Sequence, residues 1–258
     1  MLIHINTFSF GDNLMCQTAF KPFLLTSLIF IGVFNSQTAF SAQLSNFNAK
    51  FEVEALGLTL GQAKHSLRCQ QQNCTLVSSA KPSGFAAAFF KDSSTETIQL
   101  IQNQDKLLWQ SYHKLGLTEK NGQTQKKNVN LNIDKNNQVV CLEKNTQWPV
   151  KPKMFDLMSI AYAIQHAQLN QQSLTNFVLV DSNFQDELTL KSQNKNDFLE
   201  FEFSDSQLDA VKYHFTSQHA EIELWLLPNY NYFPGKIRII NREDKTITLS
   251  LAEPPKTL

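Results

Sequence analysis

Neither sign of charge dominates this sequence: 23 Lys and Arg are balanced by 23 Asp and Glu across 258 residues. With no basic excess, nothing draws the chain to a phosphate backbone or an anionic membrane surface, and nucleic acid is excluded as an expected partner. Charged residues make up only 18% of the chain, so Asn and Gln must solvate much of the surface. The familiar catalytic signatures are missing too. There is no Gly-x-Ser-x-Gly elbow, Walker A loop, dinucleotide fingerprint or His-Glu-x-x-His helix. The histidines beyond residue 43, at positions 65, 113, 166, 214 and 219, are scattered. His214 and His219 are close enough to meet across a strand end, but two surface or satisfied imidazoles explain them better, and His166 reads as a packed or solvent-facing helical residue rather than a base. No cofactor or metal set follows, and the expectation is a non-enzymatic protein.

What is present begins with an apolar run. Residues 1–42 hold only Asp12 and Lys21 as charges, and Phe23 to Phe34 is continuously non-charged and mostly apolar before small polar residues up to Ala42. A cation, a short apolar stretch and small residues form the three parts of a signal peptide. The run is shorter than the roughly 20 residues a membrane span needs. Residues 1–42 are therefore expected to be a signal peptide, cleaved after Ser41 or Ala42, with translation starting at Met1 or at Met15. Residues 43–258, without repeats or a dividing linker, are expected to form one exported domain with no stable membrane span.

In a compartment that permits disulfides, Cys69 and Cys74 stand on either side of four polar residues between two strand-like runs. A hairpin brings such positions within disulfide reach, at a Cα separation of about 5.5 Å. Two free thiols are the alternative, and Cys141 is left as a buried apolar residue.

Beyond residue 43, short segments with period-two alternation recur between polar turns. Strands are expected at 51–55, 63–67, 75–79, 95–101, 106–114, 128–133, 138–142, 176–181, 187–191, 198–203, 210–217, 222–227, 235–241 and 246–252. The polar stretch 119–127 reads as a long hairpin loop, and the last six residues as an extended tail. Two segments break the rhythm. Residues 83–90 are Ala-rich and predict a short helix. Residues 155–169 follow the breakers Pro149 and Pro152 and place Leu157, Ile160, Ala161 and Ile164 at helical spacing. Met158 and Tyr162 widen that apolar arc, which predicts a helix enclosed by other structure, with Asp156 capping its first turn. The expected fold is mainly β: a strongly curved antiparallel sheet, a half-barrel or open barrel, around one central α-helix, plus a short second helix.

In the order of its elements the chain resembles the domain of unknown function 3108 family of bacterial exported proteins, over nearly all of 43–258. The resemblance rests on the strand-turn pair at 51–61, on Phe85 to Phe90, on Phe155-Asp156-Leu157-Met158-Ser159 and on Leu224-Trp225-Leu226 through Pro234-Gly235-Lys236-Ile237 to the closing 249–253. Leu157 stands where the family usually has Pro, and Gly235 where a small apolar residue is more usual. The resemblance implies a periplasmic β domain resembling the half-barrels that carry lipoproteins, with no established activity.

Aromatic and helical residues supply the candidate sites. A bent sheet only partly filled by one helix leaves a pocket for an apolar ligand or lipid, and Met158, Ala161, Ile164 and Trp225 are the candidate lining residues. The same aromatics also serve as simple core filling. The competing expectation is an envelope protein-protein interaction through a strand edge or the loop between Pro228 and Pro234, with Tyr230, Tyr232 and Phe233 exposed.

Overall fold

The structure, a computed structural model, describes residues 41–88, 91–120, 123–243 and 245–258. The expected signal peptide lies outside these residues except for its last two positions, and so do Phe89 and Phe90 of the expected short helix. Alternation of buried and outward residues begins in β1 (Phe47–Ala55), where Phe47, Ala49 and Phe51 are buried and Asn48, Lys50 and Glu52 take the other face. Three long strands follow in meander order: β2 (Leu58–Gln70), β3 (Asn73–Pro82) and β4 (Ser93–Asn103). Next come β5 (Lys106–Lys120), β6 (Gln123–Ile133) and the short β7 (Gln138–Cys141) and β8 (Thr146–Pro149). A two-residue β9 (Met154–Phe155) precedes the helix α1 (Ile160–Leu169). The chain then returns through β10 (Phe177–Val180), β11 (Gln185–Leu199), β12 (Leu208–Thr216), β13 (Ala220–Leu227), β14 (Phe233–Asn241), β15 (Thr246–Leu251) and β16 (Lys256–Thr257).

Among the described residues all sixteen strands belong to one sheet, ordered β8-β7-β6-β5-β4-β3-β2-β1-β15-β14-β13-β12-β11-β10-β9, with β16 added to β1. The pairing is antiparallel except between β9 and β10. This long path curls round α1 without closing by main-chain pairing. The edge strand β8 instead meets the β10–β11 connection through side chains: Thr146 Oγ1 donates to the Ser182 carbonyl at 3.0 Å, and Gln185 Nε2 donates to the Pro149 carbonyl at 2.8 Å. The fold is thus mainly β, a curved antiparallel sheet around one principal helix.

The helix fills one end of the curl. From Ile160 to Ala167 every residue is buried, as its wide apolar arc requires. Tyr162 stacks on Phe47 at 5.1 Å and meets Phe233 edge-on at 6.0 Å, while its hydroxyl bonds His65 Nδ1 at 2.7 Å. The chain's first described residues seal this end. Asn170 accepts from the Ala42 N–H at 2.9 Å and donates to the Ala42 carbonyl at 2.7 Å, and Gln102 grips both backbone groups of Leu44 in the same way.

Several expected boundaries move, for local physical reasons. The helix starts at Ile160 rather than at residue 155, because Phe155 pairs with Leu179 as a strand and Asp156 turns the chain. Asp156 Oδ1 accepts the N–H groups of Met158 and Ser159, and its carbonyl accepts that of Ile160, so it caps the turn leading into the helix. Within 83–90 the described residues form a 3-10 turn, Gly84–Ala88, rather than an α-helix. The described residues of 119–127 are strand rather than loop: Glu119 pairs with Thr124 and Gly116 with Lys127, in a hairpin arm whose second strand is wet on both faces and so lacks alternation. The expected strands 187–191 and 198–203 are replaced by one long β11, kinked by register shifts, after which Phe201 and Phe203 stack in a loop. Cys69 and Cys74 do form a disulfide, with a Cα separation of 4.0 Å, shorter than expected. The strands run on to a two-residue turn at Gln71 and Gln72, making the cysteines a directly opposed, non-hydrogen-bonded pair. Cys141 is free and buried.

Candidate functional site

Rows of inward side chains cross the sheet, and their sizes decide where space remains. Phe47, Leu67, Leu76, Ile98 and Tyr112 form one row, set by the pairings of consecutive strands. The next inward step gives Ala49, His65, Ser78, Glu96 and Lys114, and the one after it Phe51, Ala63, Ala80, Ser94 and Gly116. Large residues pack against α1 in the first row, whereas the third is mostly small residues. The consequence is a cavity of about 310 Å³ between the small row and the turn that starts the helix. Leu157 and Met158 line it from the helix side, and Val53, Ile239 and Leu249 from β1, β14 and β15. A second hollow of about 340 Å³, lined by Leu60, Gly61 and Pro82, shares Val53, Ala80 and Ser94 with it and leads outward.

The rim at this end carries exposed apolar side chains, with Lys81 and Asp92 on the lining of the second hollow. Leu56 and Leu58 stand exposed in the β1–β2 hairpin, and Ile247, which also lines the cavity, is 46% exposed beside them. Ser83 N–H bonds the Leu60 carbonyl, which sets the 3-10 turn bearing the exposed Phe85 at the same rim. Gly61 makes the close approach of β2 to β3 possible here: a Cβ on it would lie 2.2 Å from the Lys81 carbonyl oxygen.

One wall of the cavity is polar. Lys114 Nζ pairs with Glu96 Oε1 at 2.8 Å, and the Tyr112 hydroxyl donates to Glu96 Oε2 at 3.1 Å. Burial, and then the negative charge of Glu96, push the Tyr112 phenol far above its ordinary range. Asp156, also on the lining, is buried, and desolvation raises its carboxyl. Four donors oppose that shift: the two backbone N–H groups on Oδ1, with Trp109 Nε1 at 2.9 Å and Ser159 Oγ at 2.6 Å on Oδ2. Asp181 completes the wall, its Oδ1 accepting from the backbone and side chain of Asn183. Among the described residues no group of three or more His, Cys, Asp and Glu is arranged to hold a metal ion.

The four expected lining residues separate. Met158 lines the cavity. Ala161 and Ile164 are fully buried within the core and line neither this cavity nor the separate hollow of about 380 Å³ at the other end of the helix, bounded by Phe47, Gln165, Leu169 and Phe233. Trp225 is on the wrong face: its indole lies beneath Lys212 and Lys236, with their Nζ atoms 4.5 and 5.4 Å from the ring, and donates to Asp197. Alternation along β13 explains this, because Ile222 and Leu224 point inward and Trp225 does not. Of the loop residues expected to be exposed, Phe233 is 4% exposed and packs on Phe47 at 5.0 Å, so it is core rather than docking surface. Tyr230 and Tyr232 are half-buried. His214 and His219 do not meet: each has its own carboxylate, Glu221 at 3.3 Å and Asp186 at 2.7 Å. The small row and the Glu96, Tyr112, Lys114 and Asp181 wall were not singled out from the sequence. The legible signal would have been small residues at matching inward positions of successive strands.

No family model matches this chain. No curated protein matches it either. Among solved structures the chain is similar to the crystal structure of a beta-barrel-like protein of domain of unknown function 1849 from Brucella abortus, at 9% identity and a TM-score of 0.49, covering 84% of this chain and 99% of the other.

Proposed function

We propose that this protein is an exported, non-enzymatic binder of an apolar ligand, seated in the cup between the small inward row and the N-terminal turn of α1. The observation that carries the reading is the cavity of about 310 Å³, next to an open hollow with which it shares Val53, Ala80 and Ser94, near exposed apolar residues. Its volume is at the small end of the roughly 300–1,000 Å³ common for small-molecule pockets. Each methylene seated there contributes about 0.8 kcal/mol, so an octyl chain gains about 6 kcal/mol before the cost of immobilising it. Export and a periplasmic setting belong to the same reading, supported by the Cys69–Cys74 disulfide. Among the described residues no helix is long and apolar enough to cross a membrane.

The test is mass spectrometry of organic extracts from protein purified without detergent, run beside an Ala80→Phe variant whose ring would fill the cup. A stoichiometric apolar molecule in the parent and its loss from the folded variant is the expected result. Equal amounts in both would show that whatever binds does so elsewhere.

A further inference from the structure

The charges on the cavity wall bear on which head group the ligand carries. Four ionisable carboxyl and amino groups line it: Glu96, Lys114, Asp156 and Asp181, with the Tyr112 phenol among them. The one cation, Lys114, is already paired with Glu96 at 2.8 Å. Asp156 is closed off by four donors, so its oxygens are not open to a ligand. Asp181 differs. Its Oδ1 accepts from Asn183 and Ser182, and among the described residues no cation pairs with it. The wall therefore holds one more open carboxylate than it has free cations.

We infer that the cavity selects amphiphiles whose polar end donates hydrogen bonds and carries no negative charge, a hydroxyl or an ammonium, and rejects acyl carboxylates. The inference rests on the ligand-binding reading above. A fatty acid entering head-first toward this wall would lose its hydration and gain no unpaired cation in return, while facing the carboxylate of Asp181. A hydroxyl or ammonium in the same place donates to Asp181, or to Glu96 beside Lys114. The upward shift of the Tyr112 phenol, owed after burial to Glu96, Asp156 and Asp181, agrees with a negative field on this wall. The tail of such an amphiphile would lie against Val53, Met158 and Leu249 of the same lining.

Calorimetric titration near neutral pH with three probes of equal chain length, octan-1-ol, octylamine and octanoate, tests the inference. The expected ranking puts the alcohol and the amine at least about tenfold tighter than octanoate. Asp181→Asn keeps the acceptor for Asn183 and removes the charge, so the gap between amine and octanoate should narrow in that variant. Octanoate binding as tightly as the others overturns the head-group selection and leaves the cavity reading standing. A gap unchanged in Asp181→Asn overturns the role given to Asp181. Failure of all three probes to bind removes the ligand-binding reading and this inference with it.

Discussion

Acid should destabilise this fold through one residue, His65. Its place on β2 puts the imidazole between Phe51, 4.7 Å away ring to ring, and the Tyr162 hydroxyl on the helix, with Nε2 unpartnered in the described structure. Burial holds the ring neutral, lowering its pKa from 6.5 to about 3. The folded-state value is below the unfolded one, so between the two the unfolded chain takes up a proton that the folded protein refuses. Stability is therefore lost as pH falls below 6.5. Linkage gives about 2 kcal/mol lost between pH 7 and pH 5 from this residue alone. The figure is insensitive to the folded value, because at pH 5 any pKa below about 4 leaves the buried ring neutral. Urea unfolding at the two pH values, in the parent and in His65→Gln, isolates the effect, since Asp156, His166 and the other groups titrate in both proteins. The variant keeps a polar partner for Tyr162 but no imidazole, and its stability should fall by about 2 kcal/mol less over that range. Equal losses in both would refute the claim that His65 is held neutral in the core.

Three more outcomes follow from the packing. Gly61→Ala forces a methyl against the Lys81 carbonyl at 2.2 Å, and chemical denaturation should show a loss of about 2 kcal/mol or more. Replacing both Cys69 and Cys74 by Ala opens a loop of sequence separation 5, for which chain entropy sets a loss of about 2 kcal/mol, readable as a lower urea midpoint. Trp225→Ala removes a nearly buried indole from the outer face, so it should cost about 3 kcal/mol in stability yet leave probe affinity in the cup unchanged.

The parts of this fold that obey a local rule were legible. Period-two alternation exposed most strands, the apolar arc marked the enclosed helix, and the cysteine hairpin followed from strand geometry. The strand residues 123–127 escaped because a hairpin arm wet on both faces has no alternation to read. The helix start was missed because Phe155 is apolar at helical spacing while its backbone pairs with β10. Site prediction failed in a more instructive way. Apolar helix residues were expected to line the pocket, but Ala161 and Ile164 are buried in the core instead, and Phe233, expected to be exposed, packs there too. The cavity formed where Ala63, Ala80, Ser94 and Gly116 fall on one row, a coincidence of cross-strand register that no single segment displays. Trp225 was misplaced for the opposite reason: its strand was recognised, but hydrophobicity was allowed to outweigh the alternation that turns it outward.

The central claim is that the cup takes an apolar chain. Its most direct test is a methyl NMR titration of the labelled protein with octan-1-ol, following Met158, Ala63, Ala80 and Leu249. The account predicts saturable shifts at these methyls and at Val53, with Ala161 and Ile164 in the core nearly unmoved. Shifts confined to residues near Tyr230 and Tyr232, or none at saturating alcohol, would contradict it.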